Sequence, residues 1–350
     1  MKYDYETISE FGNLYKAHQM SRKGKSHKPE VIKFEGNLSY ELCRMKHQLE
    51  NHTYRFSGYY HFTIHEPKKR EIYAAYYRDR VMQHCVCDEI LLPLLTPRLI
   101  HDNAACQKGK GVHFAQKRMS KFLREHYQKY GRDGYALKCD IHHYFPSINH
   151  AVLKEKVMKV VKDEDVQDLL FQFVDSYHEE SNPGTGLALG NQTNQWFAIF
   201  YLDSLDRLVK ERLRIKHYTR YMDDFILIHP DKKYLQYCLE QIEEHVRTLK
   251  LELNKKTQVV PLKNGIEYVG FRFHLTANGK VVRKMKRASK VRLKRKLATL
   301  QKDYANGKID LARVKQSLAG FKGHLKHGHT YHLRKTVFEK FVLQRDTGVM

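Results

Sequence analysis

Asp223 and Asp224 stand side by side in Tyr221-Met222-Asp223-Asp224, between two apolar runs, Ile215–Tyr221 and Phe225–Ile228, that read as the arms of a hairpin. Adjacent carboxylates at a turn repel one another and raise each other's pKa. A cation between them removes that cost, and hard oxygen ligands of this kind suit Mg²⁺. A third carboxylate, Asp140, lies 83 residues upstream of Asp223 and follows the strand-like Tyr135-Ala136-Leu137-Lys138-Cys139. A strand ending in one Asp beside a hairpin carrying two would bring three carboxylates to one sheet edge, enough for a two-metal site.

The rest of the chain must position that edge. Its 350 residues exceed one typical domain, so a core split into two or three subdomains is expected, and a 41% hydrophobic fraction suffices to fold it. The formal charge of +24 implies a polyanionic partner. No apolar run approaches the roughly 20 residues that span a bilayer. The N-terminal Met1-Lys2-Tyr3-Asp4-Tyr5-Glu6 lacks a signal-peptide core, so the expectation is a cytoplasmic protein without a membrane partner. Six cysteines, at 43, 85, 87, 106, 139 and 238, form no metal-type pair and read as thiols in a reducing compartment. His324, His327, His329 and His332 cluster near the C-terminus, where RNA-facing or capping roles outweigh a zinc site because no cysteine or carboxylate accompanies them.

Residues 3–17 have helical spacing, and Gln19–Lys33 reads as a basic connector without apolar periodicity, lying along nucleic acid. Leu38–Leu49 is helical. Tyr60–His65 and Arg70–Ala74 flank Glu66-Pro67-Lys68-Lys69 as two strands around a basic turn. Helices are predicted at Asp79–Leu95, Val112–Tyr130, His150–Val161, Val166–Tyr177, Asn191–Leu213 and Lys232–Leu249, and strands at Thr257–Pro261 and Ile266–Phe273. From Met285 the pattern turns helical and basic. Nine of the fourteen residues between Arg283 and Lys296 are Lys or Arg, while Val291, Leu297, Leu300 and Tyr304 keep an apolar stripe.

Leu137-Lys138-Cys139-Asp140-Ile141-His142-His143-Tyr144-Phe145 and Arg220-Tyr221-Met222-Asp223-Asp224 closely resemble, in order and spacing, the two metal-binding motifs of the reverse transcriptase palm. The resemblance runs from about Tyr59 to about Lys335. It implies an α+β right-hand polymerase fold, with an N-terminal basic extension over 1–58, fingers over 59–134, a palm over 135–283 whose antiparallel sheet carries the hairpin and which holds a fingers insertion at about 150–185, and a helical thumb over 284–350. It also implies RNA-directed DNA polymerase chemistry with two Mg²⁺ ions held by Asp140, Asp223, Asp224 and the main chain of Ile141. Tyr268-Val269-Gly270-Phe271 resembles the primer grip.

Phosphoryl transfer asks mainly for positioning and charge neutralisation. Lys68, Arg70, Arg78 and Arg80 are the candidate contacts of an incoming dNTP triphosphate, Arg70 and Arg78 foremost by resemblance. Phe145, five residues after Asp140, takes the place of the ring that excludes a 2′-hydroxyl by clash, and the N–H groups of His143 and Tyr144 then face the phosphates. Lys256 matches the family's lysine beside the leaving pyrophosphate, a proton donor, with Lys255 the neighbouring alternative. Arg283, Lys284, Lys286, Arg287, Lys290 and Arg292 would grip the RNA/cDNA duplex.

Within Gly186-Leu187-Ala188-Leu189-Gly190-Asn191-Gln192-Thr193-Asn194-Gln195, most reverse transcriptases carry Gln at the place of Leu189 and end in Ser-Pro where Asn194-Gln195 stands here. The pattern resembles the enzymes of diversity-generating retroelements, although Asn194 replaces their usual Ser. An apolar Leu189, with Gly190 and Gln195 beside it at the nucleotide, loses a hydrogen bond worth about 1–3 kcal/mol of discrimination. The resemblance thus implies low-fidelity copying of a structured template RNA, most error-prone at template adenines, for mutagenic retrohoming, with a small basic helical accessory protein that assembles as a ring. After the thumb-like Gly320–Lys335 region there is no room before Met350 for an RNase H, HNH or maturase domain, so such activities are expected from other components. An antiphage-defence or group II intron-like polymerase is the alternative, and an RNA-binding scaffold the non-enzymatic one.

Overall fold

The computed structural model describes residues 3–65 and 68–345, and these divide into two compact units. The first draws on residues 1–108, 139–214 and 238–257, the second on 109–138, 215–237 and 258–350.

The first unit opens with four helices, α1 (Tyr5–Ser9), α2 (Phe11–Arg22), α3 (Pro29–Gly36) and α4 (Leu38–Glu50). Asp4 caps α1, accepting from Thr7 N–H at 3.1 Å, and Pro29 starts α3 at the first turn, where no donor is needed. The expected connector Gln19–Lys33 is therefore corrected: its first residues finish α2 and its last begin α3. Small anchors hold these ends down. Ala17, His18 and Ser21 are buried on α2, Val31 and Phe34 on α3, and His18 stacks on Phe34 and meets the Tyr77 hydroxyl at 3.0 Å.

Strands β1 (Tyr59–Ile64) and β2 (Arg70–Ala75) form an antiparallel hairpin with Tyr59 opposite Ala75 and Ile64 opposite Arg70. The Glu66-Pro67 part of its turn lies outside the described residues. Next, α5 (Tyr77–Val86) runs through a π turn at Cys87–Leu91 into α6 (Leu92–Leu95). The second unit contributes α7 (Val112–Tyr130), matching its sequence expectation, and β3 (Tyr135–Cys139). Back in the first unit come α8 (Tyr144–Ser147), α9 (His150–Val160) and α10 (Glu164–Asp175), the last two capped by Asn149 and Asp163, which accept from Val152 N–H at 3.2 Å and Val166 N–H at 3.0 Å. The predicted helix Asn191–Leu213 is broken into α11 (Gln192–Tyr201), α12 (Asp203–Arg207) and a π turn at Leu208–Arg212, with a break at Leu202. Its residues from Trp196 to Leu202 are all buried, which fixes them by packing and not by helical periodicity.

In the second unit β4 (His217–Tyr221) and β5 (Asp224–His229) form the predicted hairpin. Helix α13 (Lys232–Thr248) follows, its residues from Cys238 onward counted in the first unit, then β6 (Gln258–Pro261) of the second, and the sheet order is β4-β5-β3-β6. The single strand expected over Ile266–Phe273 is two: β7 (Ile266–Tyr268) and β8 (Phe271–Leu275) turn about Val269 and Gly270, both at positive φ, and β9 (Val281–Met285) completes a three-stranded sheet. Helices α14 (Arg287–Ala305), α15 (Leu311–Lys326) and α16 (Tyr331–Glu339) enclose a core of Met285, Leu293, Leu297, Leu325 and Val337. Leu293 takes the inward place expected of Val291, which is 43% exposed.

Asn191 joins the loop before α11 to the β1–β2 hairpin. Its Oδ1 accepts from Ala75 N–H at 3.2 Å, and its Nδ2 donates to the carbonyls of Tyr73 at 2.9 Å and Ala188 at 3.4 Å, in a residue 2% exposed. Replacing it by Ala strands buried backbone groups at about 1–3 kcal/mol each. Asn191→Ala is therefore expected to lower the unfolding free energy by about 3 kcal/mol in urea titration, and an unchanged midpoint would show that the hairpin does not lean on this amide.

Candidate active site

The hairpin closes on two residues, Met222 and Asp223, with Tyr221 opposite Asp224. Met222 has φ 56°, a left-handed conformation that glycine adopts more easily, and such strain concentrates at functional turns. Arg220 props the turn. Its side chain is fully buried, and its Nη1 donates to the Met222 carbonyl at 3.0 Å. Asp223 and Asp224 are half-buried at the end of the two strands, and Asp224 itself opens β5.

Asp140 directly follows β3 in sequence. In the first unit its main chain runs antiparallel to residues 252–254: Asn254 N–H donates to the Asp140 carbonyl at 2.7 Å, and His142 N–H to the Glu252 carbonyl at 2.8 Å. Ile141 and Leu253 thus form a non-hydrogen-bonded pair, which turns the Ile141 carbonyl away from that ladder. Asn254 acts a second time, its Nδ2 donating to Asp140 Oδ2 at 3.2 Å. Sequence reading missed Asn254 and Arg220 as site residues; Arg220 lies inside a quoted motif and Asn254 two residues before Lys256, but nothing in residue type reveals which carboxylate or carbonyl each reaches. The donors so defined, carboxylate oxygens and one main-chain carbonyl, are the kind a hard divalent cation takes. Among the described residues, no group of three or more His, Cys, Asp or Glu side chains is gathered as a metal cluster, the C-terminal histidines included.

The structure brings Phe145 and Leu189 together. Both line a cavity of about 610 Å³ with Tyr59, Tyr73, Tyr177 and Leu187. Leu187 N–H donates to the Phe145 carbonyl at 2.9 Å and Tyr73 N–H to the Leu189 carbonyl at 3.1 Å, so backbone bonds fix both walls. Gly190, at φ 112°, lies so close to β2 that a Cβ would stand 3.1 Å from Ile72 Cγ2. Gln195 Oε1 accepts from the Cys106 thiol at 3.3 Å, a thiol whose pKa burial raises to about 11. His143 sits at φ 43° ahead of α8, while Tyr144 is buried with its hydroxyl on the Ala198 carbonyl.

The four candidate triphosphate cations divide. Lys68 and Arg70 are exposed beside the hairpin turn. Arg78 instead bonds Gln48 and lies over the Tyr54 ring, and Arg80 is ion-paired with Glu30. Lys255 and Lys256 are both exposed, with Lys256 N–H on Asn254 Oδ1 at 3.1 Å. In the basic run, Arg283 and Lys284 lie on β9 and not on a helix, Lys286 pairs with Glu267 at 3.2 Å just before α14, and Arg287, Lys290 and Arg292 lie on α14.

A family model described as reverse transcriptase (RNA-dependent DNA polymerase) matches residues 67–273, more than half of the chain. Among solved structures, apo telomerase from Candida tropicalis is similar at 14% identity and TM-score 0.50, over 65% of this chain and 49% of that one. Telomerase from Candida tropicalis in complex with a TWJ fragment of telomeric RNA is similar at 14% identity and TM-score 0.50, over 81% of this chain and 54% of that one. The chain spans about half the length of these solved relatives, and the likeness bears on the fold, which is the right-hand polymerase fold anticipated from the motifs. A search of the curated proteins finds no match.

The Asn254 side chain donates to Asp140 Oδ2, so Asn254→Ala should weaken divalent-cation binding about tenfold, as loss of a group orienting a metal ligand does. Electron paramagnetic resonance with Mn²⁺ in place of Mg²⁺ reads this directly. Equal Mn²⁺ affinity in variant and wild type would remove Asn254 from the site.

Proposed function

The chain belongs to the reverse transcriptase family, and from that we propose that it is an RNA-directed DNA polymerase that copies a structured template RNA into error-rich cDNA for sequence diversification. The observation that carries the polymerase reading is the sheet order: β3, which leads into Asp140, is hydrogen-bonded beside β5, which Asp224 opens. We assign Asp140, Asp223, Asp224 and the Ile141 carbonyl as ligands of two Mg²⁺ ions, which when bound supply charge neutralisation and activation of the primer hydroxyl.

The chain's own residues supply the rest. Asn254 holds Asp140 Oδ2 and so fixes the orientation of that carboxylate. Lys68 and Arg70, exposed on the hairpin, neutralise the incoming triphosphate, whereas Arg78 and Arg80 tie the fingers to α4 and α3. The main chain at His143 and Tyr144 faces the phosphates. The Phe145 ring bars a 2′-hydroxyl from the cavity it lines, and Lys256 donates a proton to the departing pyrophosphate. The basic residues of β9 and α14 grip the RNA/cDNA duplex.

The diversification role rests on Leu189, which offers the cavity shared with Phe145 an apolar wall in place of an amide. Template RNA, dNTPs and a small basic helical accessory protein assembled as a ring are the partners in this reading.

Asp223→Asn deletes a metal ligand but none of the basic surfaces. Primer extension should be abolished while RNA affinity stays within about twofold. Extension at the wild-type rate would overturn the metal assignment.

Leu189→Gln restores a hydrogen-bonding group beside the nascent pair. Sequenced cDNA should show misincorporation opposite template adenine reduced roughly fivefold, the equivalent of about 1 kcal/mol. An identical adenine error rate would detach Leu189, and with it the diversification role, from fidelity.

A further inference from the structure

Helix α7 carries His113, Lys117, Ser120 and Arg124 at intervals of four, three and four residues. At 3.6 residues per turn these fall within an arc of about 60°. The apolar face of the same helix, Ala115, Met119, Phe122 and Leu123, is buried on the other side, and within the stripe Ser120 is buried too, its hydroxyl donating to the Gln116 carbonyl at 2.9 Å. Opposite the polar stripe stands the turn between β8 and β9. Tyr127 of α7 fixes it, its hydroxyl donating to the Ala277 carbonyl at 2.7 Å and its ring lying where a Cβ on Gly279 would be. Gly279 has φ 76° and is required there on both counts.

Between these walls is a cavity of about 580 Å³ lined by Ser120, Arg124, Asn278, Lys280, Arg283 and His329. It holds two guanidiniums, an ammonium and an imidazole and has no carboxylate in its lining. The acidic residues of the neighbouring elements are engaged elsewhere: Glu125 with His217 at 3.1 Å and Lys121 at 3.6 Å, Glu267 with Lys286 at 3.2 Å. His329 is also oriented. Its Nδ1 accepts from Arg283 N–H at 3.0 Å, and its own N–H donates to the Arg283 carbonyl at 2.8 Å. A ring that accepts at Nδ1 carries its proton on Nε2, which leaves a donor to spare.

The charges in this region disfavour one another. Burial and the charge of Arg124 hold the Arg283 guanidinium below its ordinary pKa, and burial, with Arg283 and Lys280, lowers that of His329. His327, stacked on His113 at 3.3 Å, is lowered by burial and by the charges of His113, Arg283, His324 and Lys117. Anionic groups along this region would relieve them.

We propose that this carboxylate-free cleft and the His113–Arg124 stripe bind phosphate groups of a nucleic-acid strand, through residues of α7, the β8–β9 turn and His329 that the duplex grip of β9 and α14 does not use, sharing only Arg283 with it. The stripe is about 16 Å long at 1.5 Å per residue, too long for one oxyanion and suited to successive phosphates along a backbone. The inference rests on the polymerase reading only for the identity of the polyanion.

Equilibrium binding of the full chain to single-stranded RNA, without Mg²⁺ or dNTPs, tests it independently of any polymerase chemistry. The double variant Arg124→Gln, Lys280→Gln changes two exposed side chains. It is expected to weaken binding at least tenfold at low salt and to flatten the slope of log K against log salt by about 1.4, from roughly 0.7 per lost contact to a single strand. Lys280→Glu alone should weaken binding in the same direction, with the circular-dichroism melting curve unchanged as the check on folding. Wild-type affinity and slope in both variants would overturn the proposal. Titration with inorganic phosphate and pyrophosphate separates the sources: heat of binding lost in the variants while the RNA slope stays unchanged would overturn the strand and make the occupant a free oxyanion.

Discussion

Holding two adjacent carboxylates at one hairpin tip, Asp223 on the two-residue turn and Asp224 opening β5, is the constraint on which the second unit is built. The turn is strained at Met222, and the charges at Asp223 and Asp224 oppose one another. A fully buried arginine, Arg220, bonds the turn's own carbonyl, and burying a guanidinium is itself costly unless it is well satisfied. The strands around it are accordingly apolar and closed: Tyr218, Phe225, Ile226 and Leu227 have almost no exposure. The hairpin can present charge at its tip because its base is rigid.

In the first unit amides do comparable work. Asn254 fixes the carboxylate of Asp140 by side chain and main chain together. Asn191 stands in for a neighbouring strand, pairing with β2 where no strand is available, and that pairing holds the Leu189–Gly190 segment against the hairpin. One neutral, two-ended group thereby links β2 to the wall of the cavity that Phe145 shares, donating and accepting without adding a charge.

The net charge of +24 is distributed unevenly over these elements. The second unit carries the exposed basic face of α14 and, separately, the stripe on α7, where cations meet histidines with no carboxylate between them. Two arginines of α5, by contrast, are already spent on structure, Arg80 on Glu30 and Arg78 on Gln48. A cation with a fixed protein partner organises the fold, whereas cations that crowd one another are poised for an anionic ligand.

Local pattern was decisive wherever one segment carried its own signal. The hairpin of β4 and β5, the span of α7 and the family motifs around Asp140 and Asp223 were legible because alternation, helical periodicity and motif spacing are short-range properties of the chain. The breaks in the Asn191–Leu213 segment and the burial of Leu293 in place of Val291 were not, since both are set by which neighbours a side chain meets. The helical ends of the Gln19–Lys33 segment depended likewise on Phe34 and Tyr77 closing over His18. What residue types and spacing determined by themselves was the family and the inventory: two Asp-bearing motifs within the region that the reverse transcriptase model matches, and a strongly basic chain. What only the tertiary structure decided was which neutral and cationic side chains hold those groups, because a hydrogen bond from Asn254 to Asp140, 114 positions apart, exists only once the chain has folded.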